Sequence, residues 1–238
     1  MSAVTPVPRL SVDEPRSPRV RAIALVLHGG RSASTAPVRG RQLAVLRMLP
    51  FTSSLSRTGS SQGLAVARLR FAVRGWNGAE CSPVADAAWA IEQLTTRFPG
   101  VPIALIGHSM GGRTALYAAG AGAVSAVVAL APWVEAGDPA DQLAGRRVLI
   151  VHGENDRMTS ARRSAAYALR AEQAGATVTY VRMREENHAM LRRARLWHEL
   201  TTGFALGVLL GTAPPETVGA EATNVLTEAL AGERTVVV

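Results

Sequence analysis

The sequence predicts an α/β fold in which a mostly parallel central sheet carries helices on both faces. Three observations lead there. Apolar runs of strand length recur along the 238 residues, several of them continuously apolar rather than alternating, which suits strands covered on both sides. Helical patterns lie between them, and such alternation implies right-handed crossovers in a parallel sheet. A chain of this length that is 47% hydrophobic can bury one good-sized core, so one main domain is expected.

Residues 1–20, "MSAVTPVPRLSVDEPRSPRV", hold four prolines and mixed charge without an apolar run. They read as a flexible polar arm rather than a signal peptide, so secretion by that route is not expected. The main domain is expected over 21–212. Its strand candidates are Ala22 to Leu27, Leu64 to Phe71, Val101 to Ile106, Ser125 to Leu130, Val148 to Val151 and Thr177 to Met183. Helix candidates are Arg39 to Pro50, Val84 to Arg97, Met110 to Gly120, Ser160 to Gly175 and Ala189 to Leu210. Ser82 is a candidate N-cap, with Pro83 at the first helical position. Residues 213–238 form a tail with one weak helical pattern and a closing valine run, able to pack as a helix or to stay mobile.

Working residues of such sheets sit on loops at the carboxyl ends of the strands. One of those loops holds Gly107-His108-Ser109-Met110-Gly111, a G-x-S-x-G placed directly after an apolar strand and directly before a helical pattern. That context fits a nucleophile on a tight, strained turn whose flanking positions must be glycine. A serine hydroxyl needs a base to take its proton and a carboxylate to orient that base. Asp156 follows one strand, in "VLIVHGENDRMTS", and His188 follows another, in "TVTYVRMREENHAM". Glu154 and Glu186 compete as acids, but the first is too near its strand end and the second shares the histidine's loop. Asp138 and Asp141 have no evident role. Among the other histidines, His108 is locked in the turn and points away, His198 lies in a helical pattern, and His28 and His152 read as loop-shaping residues.

With its order Ser109, Asp156, His188, the chain resembles serine hydrolases of the α/β-hydrolase superfamily, from about Arg21 to Leu210. The resemblance implies an oxyanion hole built from the N–H of Met110 and one from "LHGGR", with Gly30 and Arg31 both open as the second donor. Arg31, Trp76 and Trp133 are candidate residues lining the substrate cleft. Both tryptophans have an equal alternative as packed residues. The interval between Leu130 and Val148 is too short for a helical cap, as in the small, uncapped dienelactone hydrolases, which carry cysteine where this chain has serine. The expected activity is therefore an esterase-like acyl transfer to water on a small ester-like substrate, without metal or organic cofactor. Thioester, amide or peroxide chemistry on the same triad stays open, as does a non-catalytic binding scaffold.

Composition narrows the classes further. The net charge of +8 comes entirely from arginine, there being no lysine, and the arginines are scattered rather than gathered on one arm or helix. Charge of that kind supplies only non-specific attraction, so nucleic acid is not an expected partner. The single Cys81 excludes an intrachain disulfide and a multi-cysteine metal site, and fits a reducing, cytoplasmic setting. The longest apolar stretch near the C-terminus, Phe204 to Gly211, is too short to span a bilayer. The oligomeric state is left open.

Overall fold

The computed structural model describes residues 6–214, 217–233 and 235–238. Eight strands form one sheet: β1 (Arg9–Asp13), β2 (Ala22–Leu27), β3 (Leu64–Arg70), β4 (Ile103–His108), β5 (Val124–Leu130), β6 (Arg147–Gly153), β7 (Thr177–Met183) and β8 (Thr235–Val237). Their spatial order is β1-β3-β2-β4-β5-β6-β7-β8. Only β1 runs antiparallel to its neighbour, β3. The helices are α1 (Leu43–Leu46), α2 (Leu49–Gly59), α3 (Ser82–Arg97), α4 (Met110–Ala118), α5 (Ala161–Gln173), α6 (Ala194–Leu210) and α7 (Ala220–Ala231).

Continuous apolarity in the central strands has the expected cause. Every residue of β2 is buried, with Ile23, Leu25 and Leu27 facing a core shared with α3, α4 and α5. Ala22, Ala24 and Val26 face a second core, built with α2, α6 and α7. Strand order reverses around β2, which lies between β3 and β4. The loops after β2 and β4 therefore open beside one crevice at the carboxyl edge of the sheet, the usual place for a ligand in an open α/β sheet.

Several boundaries differ from the sequence expectation. The predicted helix over 39–50 is a single turn, α1, followed by α2, which starts at Leu49 and runs to Gly59. Pro50 opens that helix because its missing N–H and fixed φ suit a first turn. Ser82 is the first residue of α3 rather than its cap, and Cys81 takes the cap position at φ 46°. The last long helix begins at Ala194 instead of Ala189. Residues 184–193 form a loop, with Glu185 and Met190 both at φ 57°.

The ends of the chain belong to the sheet. Residues 9–13 of the supposed arm pair with β3 as an edge strand, while residues 1–5 lie outside the described set. In the tail, β8 pairs with β7 at the opposite edge, and α7 packs on α6. Two glycines of α6 allow that approach: a Cβ at Gly203 would sit 2.4 Å from Leu226 and one at Gly207 would sit 2.7 Å from Leu230. Arg147 reaches from β6 to the carbonyls of Ala229 and Leu230 at 3.0 and 2.7 Å, supplying donors to the end of α7. Among the described residues no helix is long and apolar enough to cross a membrane.

Candidate active site

Ser109 sits between β4 and α4 at φ 56° and ψ −118°, a backbone state that side-chain-bearing residues rarely adopt and that costs about 1–3 kcal/mol. The flanking glycines are a steric requirement of this turn. A Cβ at Gly107 would lie 2.1 Å from the carbonyl oxygen of Gly111, and one at Gly111 would lie 2.4 Å from that of Leu27. Backbone bonds hold the turn rigid: the Ser109 N–H donates to Leu130 at 2.9 Å, and the Ser109 carbonyl accepts from Arg113 and Trp133, both at 3.1 Å.

The loops after β6 and β7 bring Asp156 and His188 together, with His188 Nδ1 2.7 Å from Asp156 Oδ2. The carboxylate side chain is fully buried, yet every side of it is met by a donor. Oδ1 accepts from the N–H groups of Met158 and Thr159 at 2.8 and 3.0 Å. Oδ2 accepts from the Thr159 hydroxyl at 2.8 Å and lies 3.2 Å from His152 Nε2. Burial pushes the Asp156 pKa up, but bonds from His152, His188 and Thr159 outweigh it and hold the carboxyl well below the usual carboxylate range. An anion so held keeps Nδ1 of His188 protonated and leaves Nε2 as the basic nitrogen.

The competing acids have other places. Glu154 is exposed. Glu186 is buried and accepts from the N–H groups of Asn187 and Arg193 and from Trp197 Nε1, at 2.9, 2.9 and 3.0 Å. It anchors the loop that carries His188 to the start of α6.

Two residues with no functional assignment in the sequence also shape the site. His108, beside the nucleophile, faces the loop of the base: its ring lies 4.6 Å from that of His188, and its Nε2 donates to the His188 carbonyl at 3.1 Å. That carbonyl also accepts from Arg47 at 3.3 Å. Burial and the neighbouring charges lower the His108 pKa to about 3, so this ring is neutral. His152 is buried between Asp156 and Ser164, whose hydroxyl meets its Nδ1 at 2.9 Å. The Ser109 hydroxyl makes no hydrogen bond to His188 in this structure; such bonds are often long before substrate arrives.

Of the two amides left open as the second oxyanion donor, that of Arg31 is occupied, donating to Arg74 at 2.8 Å. The Gly30 amide is not so engaged, and Gly30 packs closely on Met110, where an added Cβ would lie 2.4 Å from the Met110 sulfur. Met110 opens α4, so its N–H is one of the donors that a helix start leaves free.

Trp76 does not line a cleft. It is 3% exposed, edge-on to Tyr117 and Trp133 at 5.0 and 6.2 Å, with the Arg113 guanidinium 4.1 Å above its ring. The reason is an ion pair that the sequence did not advertise. Asp138 accepts from Arg113 Nε at 2.9 Å and from the Tyr117 hydroxyl at 2.8 Å, and the stacked arginine draws the indole under the loop. Trp133 is half-buried, its indole N–H on Glu135 at 2.9 Å and its amide on the elbow carbonyl. Arg31 is exposed beside Gly30.

Comparison with known proteins finds similar folds. A family model described as "Serine aminopeptidase, S33" matches residues 73–148, a stretch that includes the elbow. No curated protein sequence matches the chain. Among solved structures, an alpha-beta serine hydrolase homologue from Coxiella burnetii is similar with a TM-score of 0.62 at 18% identity, over 85% of this chain and 93% of that one. Est1E from Butyrivibrio proteoclasticus gives 0.61 at 17% identity, over 84% and 93%. XC6422 from Xanthomonas campestris, an a/b serine hydrolase without lid, gives 0.56 at 20% identity, over 82% and 86%.

Proposed function

We propose that this chain, an α/β-hydrolase superfamily member by its fold, is a serine hydrolase that cleaves ester-type acyl bonds. One observation carries the reading: a serine in a strained strand-to-helix turn shares its strand edge with a histidine bonded to a buried carboxylate. In the proposed reaction Ser109 Oγ attacks the acyl carbon while His188 Nε2 takes its proton. The oxyanion gathers the amides of Met110 and Gly30. The alcohol leaves with the proton from His188, and water, activated by the same imidazole, releases the acid from the acyl-enzyme. Asp156 keeps the imidazole in one tautomer throughout.

Ester cleavage is favoured over chemistry that must exclude water because residues 131–146 form only a packed connection between β5 and β6 in place of a cap. Amide cleavage is the second reading, favoured by likeness to a serine aminopeptidase model. A panel of p-nitrophenyl esters of graded acyl length, set against aminoacyl p-nitroanilides, separates the two. Ester turnover should dominate, and Ser109→Ala should abolish it with the fold intact, a loss on the order of a million-fold. Near-normal turnover in folded Ser109→Ala would overturn the mechanism, and anilides cleaved faster than every ester would move the assignment to amides.

A further inference from the structure

A cavity of about 470 Å³ lies between the β1 edge of the sheet and the turn joining α1 to α2, and none of Ser109, Asp156 and His188 lines it. Its size falls within the range of small-molecule sites, about 300–1,000 Å³. One wall is cationic. In the antiparallel β1–β3 register Arg9 stands opposite Arg70, and Ser11 opposite Arg68. Residues directly opposite share a face, as do residues two apart on one strand, so the three guanidinium groups rise from the same face. Like charges facing each other across a ladder repel. No compensation is built in at the first rung: neither Arg9 nor Arg70 makes a hydrogen bond or ion pair with a described residue. Arg68 reaches Asp13 only at 3.6 Å, and its Nε is buried without a partner. The floor is apolar, from Val26, which is in register with Arg68, and from Met48 and Leu49.

We infer that this cavity is a second binding site, for an alkyl carboxylate whose headgroup bridges Arg9, Arg68 and Arg70 while its chain lies on Val26 and Met48. A planar carboxylate matches the guanidinium fork and removes the repulsion between the facing arginines. The apolar floor then sets the requirement for a tail. The site is independent of the proposed hydrolysis, because its ligand is bound and not cleaved.

Isothermal titration calorimetry of the full chain with decanoate, acetate and decanol tests the assignment. Decanoate should bind at one saturable site, with acetate and decanol each weaker by about tenfold or more, because each lacks one half of the recognition. Arg9→Gln and Arg70→Gln should each weaken decanoate by a similar factor. Neither side chain is bonded to a described residue, so thermal unfolding of the ligand-free variants should match or exceed that of the parent chain. No decanoate binding to the parent chain, equal binding of decanol, or undiminished binding in both variants would overturn the proposal.

Discussion

At Asp156 five donors converge on one buried carboxylate, and two of them are imidazoles on the same oxygen. Asp156→Asn places an amide where only acceptors fit and favours the wrong tautomer of His188. Turnover should fall roughly ten-thousand-fold, the loss known for the equivalent change in the serine-protease example, measured as kcat on the best ester. Glu154→Gln, at an exposed side chain, should leave kcat within about twofold; surface changes of that kind carry little energy. A mild effect at Asp156 with a severe one at Glu154 would exchange their roles. Gly107 makes a complementary case for stability. In Gly107→Ala the new methyl meets the Gly111 backbone, which cannot rotate away, so the cost should reach the upper end of overpacking, about 3 kcal/mol. For a chain of this size that lowers Tm by about 6–12 °C. Gly122→Ala, where nothing lies within 4 Å of the added atom, is the matched control and should leave Tm almost unchanged.

The loop 184–193 is the element on which the base depends. It is held at one end by Glu186, whose carboxylate accepts three N–H bonds, and at the His188 carbonyl by His108 and Arg47. Glu186→Gln substitutes a donor for one acceptor oxygen and leaves at least one buried N–H unmatched, at a cost of about 1–3 kcal/mol. Amide exchange within residues 184–193 should accelerate and kcat should drop, while the exchange of β2 and β4 stays as slow as before. Unaltered exchange in the loop would remove Glu186 as its anchor. The opposite connection, residues 131–146, is held by the buried Arg113–Asp138 pair, with Trp76 and Trp133 packed against the guanidinium. This ordered, short connection touches the elbow through the Trp133 amide, which donates to the Ser109 carbonyl.

For the molecule as a whole, buried histidines set the response to acid. Burial brings His28 down to about 4 and His108 to about 3, both below the unfolded value of about 6.5. The folded chain keeps these rings neutral while the unfolded chain protonates them, so stability falls as pH drops from about 6.5 toward 4. Asp156 is also lowered, but as an acid whose anion is favoured it adds stability above the unfolded carboxylate value of about 3.9 and loses it as pH falls below that value. Tm should therefore decline between pH 7 and 4.5 as the unfolded chain protonates these rings. Part of the decline should survive added salt, which screens repulsion arising from the net charge of +8. A Tm flat across that interval would contradict the assigned neutrality of both rings.

The apolar runs in β2, β4, β5 and β6 marked the sheet because strands covered on both faces must be apolar at nearly every position. Gly107 and Gly111 marked the elbow because only glycine fits that turn. The approach of His188 to Asp156 was legible from strand-end positions alone, since parallel strands deliver their carboxyl-end loops to one edge. Short β1 and β8 were not legible: their few residues become strands only when β3 and β7 present unpaired edges, and their register comes from the partner. Burial of Trp76 depended on Arg113 and Asp138, which lie 37 and 62 positions beyond it by residue number. His108 facing His188, and His152 sharing Asp156, likewise depend on packing between loops distant in sequence. Local pattern reports what each residue requires of its own backbone and solvent exposure, whereas the identity of a buried polar partner is decided only when the chain closes and each donor must find an acceptor.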